Sequence, residues 1–205
     1  MEMKHRIAAI TGAALLAFAS SSFAQKVPGI TDTEVVIGIT TPLSGPAAAW
    51  SATALGAEAW AKHVNAQGGV NGRQIKIVMR DDGYNPGRAV ANVSELKDQV
   101  FAIVGLLGTA VLNANKDAVA EAKIPVVWPY GNPQVFAKQP RDKVRGVFMV
   151  YPDYGDEGEF LVQQAARLEK AKKVAVFYQN DDYGKGGREG VRRGAGKAGV
   201  TIGAE

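Results

Sequence analysis

Residues 101–128 read FAIVGLLGTAVLNANKDAVAEAKIPVVW, and the order of their apolar runs decides the fold. Phe101 to Leu107 is an almost unbroken apolar run, as expected of a strand buried on both faces. Thr109 to Ala122 is rich in alanine and carries its polar residues at helical spacing, so it predicts a helix. Pro125 to Trp128 is a second short apolar run. Strand, helix and strand in that order make a βαβ unit, whose strands must lie parallel.

The same alternation extends in both directions. Toward the N-terminus, Val35 to Ile39 predicts a buried strand and Gln74 to Met79 a second one. Between them Ser51 to about Asn65 predicts a helix, with Leu55, Ala59, Trp60 and Val64 along one side. Gly68-Gly69 stops that helix and Asn71-Gly72 is a turn signal. Asn85-Pro86 opens the next helix with proline at its first position, and Val90, Val93 and Leu96 give the apolar face. Toward the C-terminus, a polar loop covers Tyr130 to Val144 and Val147 to Tyr151 is extended. Asp156 to Leu168 predicts a helix, Val174 to Tyr178 a strand and Tyr183 to Ala198 a helix weakened by its glycines. Val200 to Ile202 begins a further strand. The fold class is α/β, a doubly wound parallel sheet followed by a second α/β unit. The alternation stops inside that second unit, which reads as incomplete.

Composition narrows the function. The chain has no cysteine, so disulfides, thiolate metal sites and a cysteine nucleophile are excluded. The formal charge is +4, but Val27 to Ala166 holds 12 Lys/Arg against 14 Asp/Glu. The excess lies at the two ends, and from Arg167 onward the basic residues alternate with glycine and alanine, as on a solvated helix face. A basic stripe interleaved with stacking aromatics, the mark of a nucleic-acid partner, is missing. At the start, Lys4 and Arg6 precede an apolar run from Ile7 to Phe18, and Ser22 and Ala24 are small. This is the pattern of an export signal cleaved after Ala24, and the run is too short to span a bilayer. The expected location is therefore periplasmic.

Parallel sheets collect ligand sites where their strands end. Five loops qualify: Pro42-Leu43-Ser44-Gly45-Pro46 with Trp50; Asp81-Asp82-Gly83-Tyr84; Gly105-Leu106-Leu107-Gly108-Thr109; Pro129-Tyr130-Gly131-Asn132; and Gln179-Asn180-Asp181-Asp182-Tyr183-Gly184. They offer backbone N–H groups, hydroxyls and three aromatics. Thr109 at a helix start suits a carboxylate, or it is simply a helix cap. Trp50, Tyr130 and Tyr183 could sandwich an apolar group. Asp81-Asp82 fits turn stabilisation better than a metal pair, because the histidine at position 63 lies elsewhere. Phosphate-loop, dinucleotide and nucleophile-elbow spacings are absent. No residue set argues for an enzyme, a cofactor or a metal.

Taken in order, Pro42 to Pro46, Asn65 to Arg73, Asp81-Asp82 with Pro86, Gly105 to Thr109, Ile124 to Val127 and Asn180 to Gly184 resemble the branched-chain amino acid (Leu/Ile/Val) substrate-binding proteins of ABC importers. The resemblance implies a type I periplasmic-binding-protein fold, two lobes that close on a ligand like a hinge. It implies a signal peptide over 1–24, a lead over 25–34, the first lobe over 35–145, a crossover over 146–155 and the start of a truncated second lobe over 156–205. It implies ligand contacts from Trp50 (an aromatic over the ligand), Thr109 (a hydroxyl on the carboxylate), Tyr130 (a backbone carbonyl toward an amine), Asn132 (a second polar contact) and Tyr183 (a second-lobe aromatic). The implied partners are a small amino acid or organic acid and a membrane permease, with the protein a monomer. Tyr130, Gly131 and Asn132 depart from the small residues of leucine binders. An aromatic or aliphatic carboxylate, or a sensory receptor on the same fold, therefore stays open.

Overall fold

The computed structural model describes residues 27–205; the expected signal segment lies outside them. The elements in order are β1 (Glu34–Thr41), α1 (Ser51–Ala66), β2 (Gln74–Asp81), α2 (Pro86–Leu96), β3 (Ala102–Val104), α3 (Thr109–Ala122), β4 (Val126–Val127), α4 (Gln134–Ala137), α5 (Arg141–Val144), β5 (Val147–Phe148), α6 (Tyr154–Leu168), β6 (Lys173–Ala175), α7 (Asp182–Ala198) and β7 (Thr201–Ala204). A single 3-10 turn, Ala48–Trp50, leads into α1. The first five strands form one parallel sheet in the order β2-β1-β3-β4-β5, and β6 pairs parallel with β7 in a second. The order reverses between β2-β1 and β3-β4-β5, so the switch point lies between β1 and β3.

The core of the first unit is built on the two helices of one sheet face. Val93 and Leu96 of α2, Val111, Leu112 and Val119 of α3, and Ile103 and Val126 of the sheet are almost wholly excluded from water. Each such side chain contributes about 1.5–3 kcal/mol to folding. Asn85 caps α2 by accepting the Arg88 N–H, and Pro86 occupies the first turn, where no amide partner is needed.

Two expectations are corrected here, the inner face of α1 and the course of the loop after β4. The inner face of α1 is not Leu55, Ala59 and Trp60: Leu55 is 52% and Trp60 66% exposed, while Ala54 and Ala61 are buried. Small side chains let this helix lie close on the sheet, and the large ones face outward, where the Trp60 ring stacks on His63. The polar loop after β4 holds the two short helices α4 and α5, and the former anchors Phe136 in the core. The segment expected as crossover opens with β5, the outer strand of the first sheet.

The glycines of α7 have a packing reason that weakens the expectation of a poor helix. A methyl placed on Gly190 would overlap the carbonyl oxygen of Gly155 in α6, one on Gly158 would overlap that of Gly187, and one on Gly194 would strike Val162. The two helices therefore meet backbone to backbone along this line. Their caps are side chains, Asp153 for α6 and Asp181 for α7. Arg193 and Lys197 of α7 reach Glu159 of α6 beside the glycine line.

Gly190→Ala should lower stability by about 1–3 kcal/mol through overpacking, a drop of several degrees in Tm. Gly196→Ala, where nothing lies within van der Waals reach of the added methyl, should leave Tm unchanged or raise it slightly. Thermal melts of the two variants beside the parent decide this; equal effects would show that the helix line is not close-packed.

Candidate functional site

The carboxyl ends of β1 to β4 gather on one edge, and their backbone is unusual there. Tyr84, Leu106 and Trp128 adopt positive φ angles of 62°, 62° and 58°, each just past the end of β2, β3 or β4. Non-glycine residues in that region carry strain and mark places where the fold overrides local preference. Asn71, Lys123 and Lys170 also have positive φ, but they occupy a turn and helix ends, where it is ordinary.

At the end of β3, Gly108 (φ 112°) turns the chain into α3. Its N–H donates to the Tyr130 carbonyl (2.7 Å) and its carbonyl accepts the Leu112 N–H (2.8 Å). α2, α6 and α7 each begin with a side chain on their first amides, but α3 begins with glycine and has no such cap. Its first amides therefore have no side-chain acceptor, the arrangement that attracts an anion. Thr109 is buried, and its Oγ1 accepts the Asn132 N–H (3.1 Å). A hydroxyl held in this way keeps its own proton to donate.

Tyrosines make the walls. Tyr130 meets Tyr151 edge to face (ring centroids 5.7 Å), Tyr151 meets Tyr154 (6.4 Å) and Tyr154 meets Tyr183 at the start of α7 (4.9 Å). Such pairs add about 0.5–1.5 kcal/mol each beyond burial. Tyr84 closes another side: its ring lies so near Gly108 that a methyl there would stand 2.7 Å from it. Gln179 Nε2, from the second unit, donates to the Tyr84 hydroxyl (3.5 Å), and Asn113 Nδ2 donates to Asp182 (3.4 Å). Burial pushes the phenols of Tyr84, Tyr130 and Tyr154 upward, so they remain neutral donors.

Of the five residues expected from sequence, Thr109, Tyr130 and Asn132 are brought together by direct hydrogen bonds around α3. Tyr183 joins them through Tyr151 and Tyr154. Trp50 stands on the rim, 53% exposed, with its carbonyl accepting the Thr53 hydroxyl (2.8 Å). The Tyr130 carbonyl, expected to face an amine, already accepts Gly108. Tyr84, Tyr151, Tyr154 and Gln179 were not singled out individually from the sequence. A count would have pointed to them, because five of six tyrosines lie at this cleft.

Asp81 and Asp82 organise the rim. Asp81 Oδ1 accepts the N–H groups of Leu43 (2.9 Å), Ser44 (3.2 Å) and Gly83 (2.9 Å), and Oδ2 accepts the Ser44 hydroxyl and Arg88 Nη2 (3.1 Å). These contacts fix the loop after β1 that leads to Trp50. The Ser44 hydroxyl, with the three amides, holds the Asp81 carboxyl well below the usual carboxylate range. Asp82 is fully buried, accepting from Thr40 (2.9 Å) and the Tyr84 N–H (2.8 Å); burial pushes its carboxyl up.

A parallel sheet whose strand ends meet a second α/β unit along a line of tyrosines, beside a helix start with no side-chain cap, defines the class: an α/β protein of two units. The chain belongs to the family described as "Periplasmic binding protein", which matches residues 34–205, and within it to the type I proteins that include the branched-chain amino acid binders. It is 33% identical over 171 residues to an amino acid binding protein of Pseudomonas aeruginosa, covering 82% of this chain and 45% of that protein. It is 27% identical to Leu/Ile/Val-binding protein homolog 3 of Brucella melitensis, covering 95% of this chain and 50% of the relative. Among solved structures it resembles a fatty acid ABC transporter substrate-binding protein from Thermomonospora curvata, with TM-score 0.76 and 27% identity, covering 88% of this chain and 46% of that one. The chain spans about half the length of the curated relatives it matches.

The two aspartates give opposite pH signatures. A depressed carboxyl stabilises the fold above the ordinary range and loses that contribution as pH falls. Asp81→Asn should therefore lower Tm at neutral pH and flatten its decline below about pH 4. Asp82, raised, stabilises at low pH and loses its contribution as pH rises through its folded pKa. Asp82→Asn should remove that loss. Melts of both variants from acid to neutral pH test the signs.

Proposed function

We propose that the chain is the ligand-binding part of an ABC importer's receptor, which captures a small carboxylate between its two units and presents it to a membrane permease. The observation that carries this is the start of α3, which has Gly108 and no side chain at its cap and the Thr109 hydroxyl beside it. A carboxylate seated there would take the amides that side chains cap in α2, α6 and α7. The relatives point the same way: amino acids and fatty acids, named for two of them, share a carboxylate. The five residues Trp50, Thr109, Tyr130, Asn132 and Tyr183 would contact the ligand, and the role is binding without catalysis. Export to the periplasm is supported by the charged, apolar and small-residue pattern of residues 1–24.

Within this class, the cleft favours an acid with an aromatic or aliphatic body over an amino acid. The tyrosine walls supply apolar faces, and the Tyr130 carbonyl is already engaged by Gly108.

A thermal-shift screen over branched-chain and other amino acids, aliphatic acids and benzoates tests the reading. A compound at 100 times its Kd should add about 2.7 kcal/mol. Thr109→Val should weaken the best compound about tenfold, the size of one hydrogen bond to a charged group. If no carboxylate shifts the melt, the ligand class is wrong.

A further inference from the structure

The alternation of β1 leaves one hydroxyl without a partner. Thr40 points toward α2, where its hydroxyl donates to Asp82 and accepts from Asn92 (2.9 Å). Ile39 and Thr41 fall on the opposite face, under α1. Thr41 is only 3% exposed, yet its hydroxyl has no hydrogen-bond partner among the described residues. The Thr41 hydroxyl is not among the fully buried unsatisfied atoms, so it keeps surface open to the space beside it and is free to pair with a group that enters there.

Beside it lies a recess with a cavity volume of about 20 Å³, enough for one water-sized group. Ile39, Thr41, Val104, Gly105 and Leu107 line it from the sheet, and Thr53, Ala54 and Ala57 from α1. The space exists because α1 turns alanines inward and β3 leaves the sheet through glycine. Tyr130 lines it too, and Tyr130 also opens the tyrosine chain of the cleft. Of the other polar side chains here, the Thr53 hydroxyl is spent on the Trp50 carbonyl, while Tyr130 lines the recess with a phenol that, like Thr41, has no hydrogen-bond partner among the described residues.

We propose that this recess is a specificity subsite, in which Thr41 hydrogen-bonds a hydroxyl carried by the end of the ligand remote from its carboxylate. The proposal rests on the reading of the cleft as a carboxylate site. It assigns the ligand to the hydroxylated acids: an apolar body along the tyrosines, a carboxylate at α3 and a hydroxyl at the far end. An alkyl end of the same size would fill the space and leave Thr41 unpaired.

The test uses matched pairs on the full chain: benzoate with 4-hydroxybenzoate, and hexanoate with 6-hydroxyhexanoate, with Kd by calorimetry. In the parent, at least one hydroxylated member should bind about tenfold more tightly than its partner. Thr41→Val, which keeps the shape, should collapse that ratio to near one, and Thr41→Ser should restore it. Ala57→Leu, which fills the recess, should remove the preference as well; melts establish that each variant is folded. If the acids bind with no hydroxyl preference in either pair, the subsite is overturned while the carboxylate reading stands. A preference that survives Thr41→Val overturns the role of Thr41. If no acid binds, the carboxylate reading itself fails and takes the subsite with it.

Discussion

The architecture of the cleft depends on the backbone of Gly108. One residue has to end the β3 loop, tie it to the loop after β4 and start α3 without blocking its first amides. The N–H reaches Tyr130, the carbonyl starts the helix and the bare α-carbon lets the Tyr84 ring lie against it. A side chain here would oppose a φ of 112° and collide with that ring. Three strand ends are thus held in register by a position that contributes no side chain. The strained conformations of Tyr84, Leu106 and Trp128 around it are stabilised by the packed sheet below.

The rim is organised separately from the floor. Asp81 collects the amides of the loop after β1, while Asp82, one residue on, faces inward to Thr40 and to the Tyr84 amide. Adjacent carboxylates on opposite sides of one strand end can therefore hold two loops at once. The floor relies on the dry cluster of α2, α3 and β3. This division lets the walls change without disturbing the sheet beneath them.

The sheet was legible in the sequence because parallel strands buried on both faces leave continuous apolar runs, as at Phe101 to Leu107 and Val35 to Ile39. The turn into α3 was legible from Gly108 and Thr109. What could not be read was which side of α1 faces inward. Apolar size suggested Leu55 and Trp60, but close packing on the sheet required Ala54 and Ala61, and periodicity alone does not separate the two. The glycines of α7 misled for a related reason: helix propensity is local, whereas the contact that rewards their small size comes from α6. Tyr151 and Tyr154 escaped notice because they follow the first sheet in sequence and approach Tyr130 only once the chain has crossed to the second unit.

The α6–α7 contact has a consequence for how such a chain can change over generations. Where two helices touch through bare backbone, the interface places few demands on the identity of surrounding side chains, and the outer positions of α7, such as Lys185 and Glu189, are free to drift in charge. Gly158, Gly190 and Gly194 have no such freedom, since a methyl at any of them would strike the facing helix. Diversity in this half of the molecule is therefore channelled outward, to the solvent face of α7 and to the cleft-facing start of that helix at Tyr183. A library that varied those positions and left the three glycines alone would explore new surfaces without loosening the helix pair.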